Sequence, residues 1–317
     1  MNNKIDIVIR YLNDNDEIWQ QEYNYWKNKE IKEGKAKLSN RQAFGKERIR
    51  DWDTFKYVLR SIEKNCSWIN KIFIIVQNER HIPKWLDINN SKIRIVYHDE
   101  FMPKELLPTF NSMAIAMYVS NIKDLSENYI MCDDDFYFLN KIAEDRFFKR
   151  NKPVHLNNRI AYGFYKGNYL LGTDNTFYHI LNNNFKIEIK YRTKKIKYGF
   201  YHLPSARNKS FENKILKENE IEILKRFSCS KFRNSNNVCH NLYDNLLKIC
   251  GVAIIEDPYK NCSYCTLKST VDFEKYRNKD IVCFNDTEQL DDYEKTKEKF
   301  IMFLDSIFPN KCSFEKE

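Results

Sequence analysis

Apolar residues along this chain fall into short continuous runs that alternate with helically spaced stripes. "KIDIVIRYLN" (4–13) is short and β-branched, which predicts a first strand. In "DTFKYVLRSIEKN" (53–65), Phe55, Val58, Leu59 and Ile62 recur at i, i+3, i+4 and i+7, the stripe of an amphipathic helix. "KIFIIV" (71–76) and "KIRIVYH" (92–98) read as strands, "NSMAIAMYVSNI" (111–122) as a helix and "NYIMC" (128–132) as another strand. Strands that are apolar on both faces and alternate with helices predict an α/β fold, with a mostly parallel central sheet flanked by helices. Ligands of such sheets bind beyond the carboxyl ends of the strands. That rule puts Asn13–Asp16 and Asp133–Asp135 at the candidate site.

Beyond about residue 150 the pattern weakens. "NNNFKIEIKYRTKKIKYGFYHLP" alternates in places, as a basic hairpin or an extended arm does. Residues 213–227 and 238–250 read as helices, 280–286 as one more strand and 291–309 as a closing helix. The division expected is 1–150 and 151–317, two parts of one catalytic domain.

Composition narrows the class. At 317 residues, with 42% hydrophobic and 15% aromatic content, the chain can bury a real core. A net charge of +9 suits phosphorylated ligands, polyanions, nucleic acid or an anionic membrane face. Its Lys and Arg are spread among acidic residues and no zinc-finger or RNA-binding signature occurs, so nucleic acid is not the expected partner. No run of about 20 apolar residues is present, and the opening segment turns acidic too soon for a signal peptide. A cytoplasmic location and reduced thiols for the nine cysteines are therefore expected. Cys262 and Cys265 form a CxxC, but no second pair has standard zinc spacing. Gly-x-Ser-x-Gly, P-loop and GxGxxG motifs are absent, which argues against a serine hydrolase, a P-loop NTPase and a Rossmann dehydrogenase.

The chemistry concentrates in "NYIMCDDDFYF" (128–138), where a buried-type strand ends in Asp133, Asp134 and Asp135. Two carboxylates about 4 Å apart repel by about 4 kcal/mol at an effective dielectric of about 20. A hard divalent cation, Mg²⁺ or Mn²⁺, relieves that repulsion and takes carboxylates together with substrate phosphates. A polar loop capping the next segment is the plainer alternative, and nucleotide-sugar transferases also use Asp-x-Asp at a strand end. Strand alternation would place Asp133 and Asp135 on one face and Asp134 on the other, unless a turn follows at once. Arg48, Arg50, Lys56 and Arg60 suit phosphate recognition or a solvated helix face. His202 in "YHLPSARNK", with Arg233 and His240 in "KFRNSNNVCH", completes the candidates.

In order along the chain these pieces resemble the Stealth family of sugar-1-phosphate transferases. The blocks are "IDIVIRYLNDND"; a long one from "RIRDWDTFKYVLRSIEKN" through "LPTFNSMAI" to "NYIMCDDDFYF"; "HLPSARNKS" followed by "FRNSNNV"; and "DIVCFNDTEQLDDYEKTKEKFIMFLDSIFP". The resemblance implies a nucleotide-sugar-binding part in 1–150, with acceptor and catalytic elements supplied by 151–317. It implies transfer of a hexose 1-phosphate, from a UDP-sugar to a hydroxyl of a glycan acceptor, with release of UMP. It also implies Mg²⁺ or Mn²⁺ and work at the cytoplasmic side of a bacterial membrane. Carried over by position, Asp6, Asp134, Asp135, His202 and Arg233 become catalytic. Asn13, Asp16, Arg48, Arg60 and Asn111 become substrate-binding, and Asp134, Asp135, Asn285 and Asp286 hold the metal. The chain departs from the family pattern at Arg10 for Thr, Asp14 for Gly, Asp133 for Asn, Ala116 for Glu and Ser120 for His. The extra carboxylate at Asp133 keeps a second reading open: a metal-dependent glycosyltransferase that moves the sugar alone and uses Asp133–Asp135 as its Asp-x-Asp.

Overall fold

The structure is a computed structural model, which describes residues 4–156, 202–234, 236–238 and 242–316. His240 and most of the expected basic hairpin lie outside the described residues. A five-stranded sheet has the order β3 (Ile93–Tyr97), β2 (Ile72–Val76), β1 (Ile5–Arg10), β4 (Asn128–Asp133), β8 (Ser205–Asn208). β1 to β4 run parallel, and β8 closes the edge antiparallel to β4. The mostly parallel α/β architecture is therefore present. Strand order reverses between β1 and β4, so their carboxyl ends form the kind of crevice in which sheets of this type bind ligands.

Both faces of this sheet are covered, which is why its strands are apolar without alternation. Ile7, Ile9, Ile72 and Ile74 pack against α3 (Phe55–Asn65) and the C-terminal α8 (Tyr293–Ile307). Val8, Phe73, Ile75 and Val96 point the other way, onto α4 (Ser112–Tyr118), α5 (Lys209–Glu218), α6 (Glu220–Ser228) and α7 (Leu242–Ile249). The single helix expected over 213–227 is two, broken at Asn219. α1 (Glu17–Lys32), which the apolar pattern does not announce, buries only Trp19, Tyr23 and Glu30. Its start is set by Asp16, whose carboxylate accepts from the Ile18 and Trp19 amides. α2 (Arg41–Phe44) is a single turn beyond it.

The later half of the chain completes what the first half begins. β5 (Phe136–Phe138) pairs antiparallel with β11 (Ile281–Asn285), which runs parallel to β10 (Ser263–Thr266). A third small sheet joins β6 (Phe148–Lys149), β7 (Lys152–His155) and β9 (Ile254–Ile255). Residues 205–208, within the "YHLPSARNK" stretch that holds His202, form β8, and Arg207 there is buried. Its guanidinium meets Glu212 at 3.2 Å and Asp244 at 3.0 Å, tying β8 to α5 and α7. No helix among the described residues is long and apolar enough to cross a membrane.

Arg60, expected to touch substrate, instead clamps the C-terminal segment. From α3 its Nε and Nη2 donate to the two Glu315 oxygens at 2.6 and 2.8 Å, and its Nη1 donates to the Phe308 carbonyl at 2.8 Å. Both partners are buried, so removing one leaves an uncompensated charge. Arg60→Ala should destabilise the fold by roughly 3–5 kcal/mol in denaturant titration. The folded fraction should keep its substrate KM, and a raised KM at unchanged stability would restore the substrate-binding role.

Candidate active site

The three aspartates meet three different environments. Asp133 is the last residue of β4 and lies in register with Arg10, the last residue of β1. Arg10 Nε donates to its carboxylate at 2.8 Å, and Arg10 Nη1 donates to the Ser112 carbonyl. Burial opposes ionisation of Asp133, but Arg10, His202 and Arg233 outweigh it and hold the carboxyl below its usual range. The two departures from the family pattern at the strand ends are thus one ion pair. Asp134 and Asp135 form the tight turn into β5, so the face assignment by strand alternation stops at Asp133. Burial, then Asp135, Asp133 and Asp51, push the Asp134 carboxyl well above the ordinary carboxylate range.

Asp135 is the centre of a small cluster. His202 Nε2 lies 3.7 Å from Asp135 Oδ2, and the Cys283 thiol donates to the same oxygen at 3.3 Å. Burial and the Asp135 charge push the pKa of that thiol well above its usual value. The His202 ring sits edge-on to Phe136 and Tyr264. Its burial opposes protonation, yet the neighbouring Asp135 carboxylate, with Asp133, raises its pKa above 6.5. Asp135 Oδ1 is buried with no hydrogen-bond partner among the described residues. A buried orphan lone pair beside a second carboxyl fits a hard cation. Asp134, Asp135 and the adjoining Asn285 are the residues placed to hold one.

One cleft contains Asp134, Asp135, Arg48, His202, Arg233 and Asn285 together. Arg233 donates to the Ser112 hydroxyl, so it enters from the loop before α7 and is positioned at the start of α4. Asn111 builds that junction. Its side chain caps the Met113 amide at 3.1 Å and donates to Asn237 at 2.6 Å, all of it buried. Asn111 therefore positions Ser112 and Arg233 and is not itself in the cleft. Asp286 lines the same pocket as Asp134, Asp135 and Asn285, and its carboxylate accepts from Arg50 at 3.4 Å, Trp52 at 3.1 Å and the Thr287 amide at 2.6 Å.

Three further candidates do not line the cleft. Asp6 stands at the opposite end of β1 and is fully buried. Its carboxylate accepts from Asn70 at 2.7 Å and from the Lys71 and Ser126 amides at 3.1 and 2.8 Å. It joins the amino ends of three strands instead of acting on substrate. Asp16 caps α1 and pairs with Arg80 at 2.9 Å. Asn13 closes an Asx turn onto the Asn15 amide at 3.0 Å. Residues not singled out from sequence also shape the site. Tyr11 donates to Asp51 at 2.7 Å on one wall, while Trp19, Phe110, His81 and His98 enclose the far end. Only the strand-end position of Tyr11 and His98 gives them away in the sequence.

Comparison with known proteins completes the picture. Residues 48–156 match Stealth protein CR2, conserved region 2, the stretch that contains Arg48 and the triple aspartate. The chain is 30% identical to the capsular polysaccharide phosphotransferase WcwK of Streptococcus pneumoniae, over 99% of this chain and 98% of that relative. It is 29% identical to the receptor polysaccharide phosphotransferase WefC of Streptococcus oralis, over 99% of each. It is 31% identical to the capsular polysaccharide phosphotransferase SacB of Neisseria meningitidis serogroup A, over 98% of this chain and 57% of that relative. With one acidic turn, one histidine and one arginine gathered from distant blocks into a single cleft, and with likeness running the length of the chain, this protein belongs to the Stealth family.

Proposed function

We propose that this Stealth enzyme transfers a sugar 1-phosphate from a nucleotide sugar, a UDP-sugar by resemblance, to a hydroxyl of a glycan acceptor in bacterial surface-polysaccharide synthesis. One observation carries the reading: the Asp134–Asp135 turn, with its orphan oxygen, faces the same cleft as His202, Arg48 and Arg233. Phosphoryl transfer works mainly by positioning and charge stabilisation, which is what such a set supplies. The acceptor oxygen forms a bond to the phosphorus that bears the sugar. The bond from that phosphorus to the bridging oxygen breaks, and UMP leaves with the electron pair. His202 takes the acceptor proton, its basicity raised by Asp135. Arg233, steadied by Ser112, and Arg48 lie where they offset charge on the transferred and departing phosphates. A divalent cation bound by Asp134, Asp135 and Asn285 would neutralise the pyrophosphate. The net positive charge suits a phosphorylated donor and attachment to the inner face of an anionic membrane.

The glycosyltransferase reading needs Asp133 as a metal ligand, and the Arg10 ion pair disfavours it. Purified protein given a UDP-sugar, Mg²⁺ and a glycan acceptor should release UMP and leave phosphorus in the product. UDP with a phosphorus-free product reverses the assignment. Arg10→Thr alone strands Asp133 beside two more carboxyls and should cost roughly 3–5 kcal/mol in unfolding measurements. Arg10→Thr/Asp133→Asn should recover most of that stability and keep turnover, whereas an inactive but folded double variant makes Asp133 a ligand. The pH profile follows from His202 as base. The active, neutral imidazole predominates above its pKa, so kcat/KM should fall as pH drops through the His202 pKa, which Asp135 raises in the metal-free protein. His202→Gln should lower kcat by about 10²–10⁴-fold and abolish that acid limb. A limb that persists unchanged assigns it to another group.

A further inference from the structure

The cleft has two chemically distinct ends. At one end stand the carboxyls, His202, Arg48 and Arg233. At the other, past the carboxyl ends of β2 and β3, the walls are Trp19, Phe110, Ile75 and Ile115, with His81 and His98 among them. His81 is 0% exposed and His98 is 7% exposed. Neither ring nitrogen of His81, nor Nδ1 of His98, has a hydrogen-bond partner among the described residues. The closest carboxylate oxygen, Asp16 Oδ2, stands 3.4 Å from His81 Nε2 without forming a hydrogen bond to it and accepts from Arg80, while Asp16 Oδ1 accepts from two backbone amides. A buried polar atom without a partner costs roughly 1–3 kcal/mol, so a fold that keeps three of them at a cleft wall calls for an explanation.

We infer that this closed end receives the nucleobase of the donor, with His81 and His98 hydrogen-bonding its edge. The inference rests on the transfer reading above. Three observations select a base over a phosphate or a charged sugar. First, burial keeps both imidazoles neutral: it pushes His81 down to about 4 against the pull of Asp16, with Arg80 adding to it, and His98 down to about 3, with His81 adding to it. A neutral imidazole offers one donor and one acceptor, which matches the amide-like edge of a base and does nothing to attract an anion. Second, the walls between which the ligand lies are an indole, a phenyl ring and two branched aliphatic side chains, the surroundings that a flat heterocycle fills. Third, Gln77 beside the recess is already fixed, accepting from Trp19 Nε1 at 2.8 Å and donating to Glu22 at 2.8 Å. The indole plane is thus held in place before any ligand arrives, while the histidine nitrogens stay open. With the base here, the diphosphate extends toward Arg48 and the acidic turn in the same cleft.

Equilibrium binding to the full chain tests this with the four common nucleoside 5′-monophosphates, ribose 5-phosphate and inorganic pyrophosphate. At least one nucleotide should bind about tenfold or more tighter than ribose 5-phosphate. His81→Leu/His98→Leu should erase that margin and leave pyrophosphate affinity unchanged. Because leucine removes orphan polar atoms, the melting temperature of the ligand-free variant should be equal or higher. His81→Gln, which keeps a donor and an acceptor, should retain part of the margin, and it serves where the leucine variant does not fold. A best nucleotide that binds no tighter than ribose 5-phosphate overturns the inference, as does a folded leucine variant that keeps the margin. If that variant still turns over a nucleotide sugar with unchanged KM, the base assignment falls and the transfer reading stands. If the parent protein binds neither nucleotide nor pyrophosphate, both fall.

Discussion

Three adjacent carboxyls at the end of a buried strand set the problem that the rest of this site is built around. Each dissipates its charge in a different way. Asp133 shares an ion pair with Arg10 across the parallel junction of β1 and β4. Asp134 is driven toward its protonated form by burial and by its neighbours. Asp135 is met by the imidazole of His202 and the thiol of Cys283, both delivered from the second half of the chain. The site can exist only if the chain returns to this point, which is what β8, β11 and the loop before α7 accomplish.

That requirement explains how charge is distributed along the cleft. The strand-order reversal puts the cationic and acidic groups at the β1–β4 crevice, where the phosphates of a donor belong. The cleft wall beyond the ends of β2 and β3, one step further from the reversal, is lined by Gln77, His81 and His98 among aromatic side chains. A donor with a charged middle and a neutral ring at one end meets both environments in one direction. Arg60 with Glu315 and Arg207 with Asp244 and Glu212 do no chemistry. They hold the returning segments against the sheet so that the polarity of the cleft is kept.

Much of this architecture is legible in the sequence because burial leaves a periodic trace. β1 to β4, α3 and α8 stand where apolar periodicity puts them, each within a few residues. The acidic turn, His202, Arg233, Arg48 and Asn285 were marked by residue type and family pattern, and one cleft contains them all. Asp6, Asp16, Asn111 and Arg60 show the limit of that approach. A polar residue in a diagnostic block looks the same whether its partner is a substrate or another group of the protein, and here backbone groups, Asn70, Arg80, Asn237 and Glu315 are among the partners. Arg10 and Asp133 are 123 positions apart, so their compensation appears only once the β1–β4 register is known. β8 is too short and polar to announce itself, and α1 buries too little of its surface to leave a clear stripe.

The pairing of β5 with β11 also imposes an order in time. Asp135 is synthesised about 150 residues before Asn285, and their meeting waits for β11 to find β5. At a synthesis rate of about 5–20 residues per second, the acidic turn emerges roughly 8 to 30 s before the strand that presses Cys283 and Asn285 against it. During that interval β1 to β4 can already assemble as a parallel sheet, since all four precede residue 134. The strands of the β1–β4 crevice are therefore all made before its C-terminal wall, and the residues that complete the site, from His202 onward, are made last.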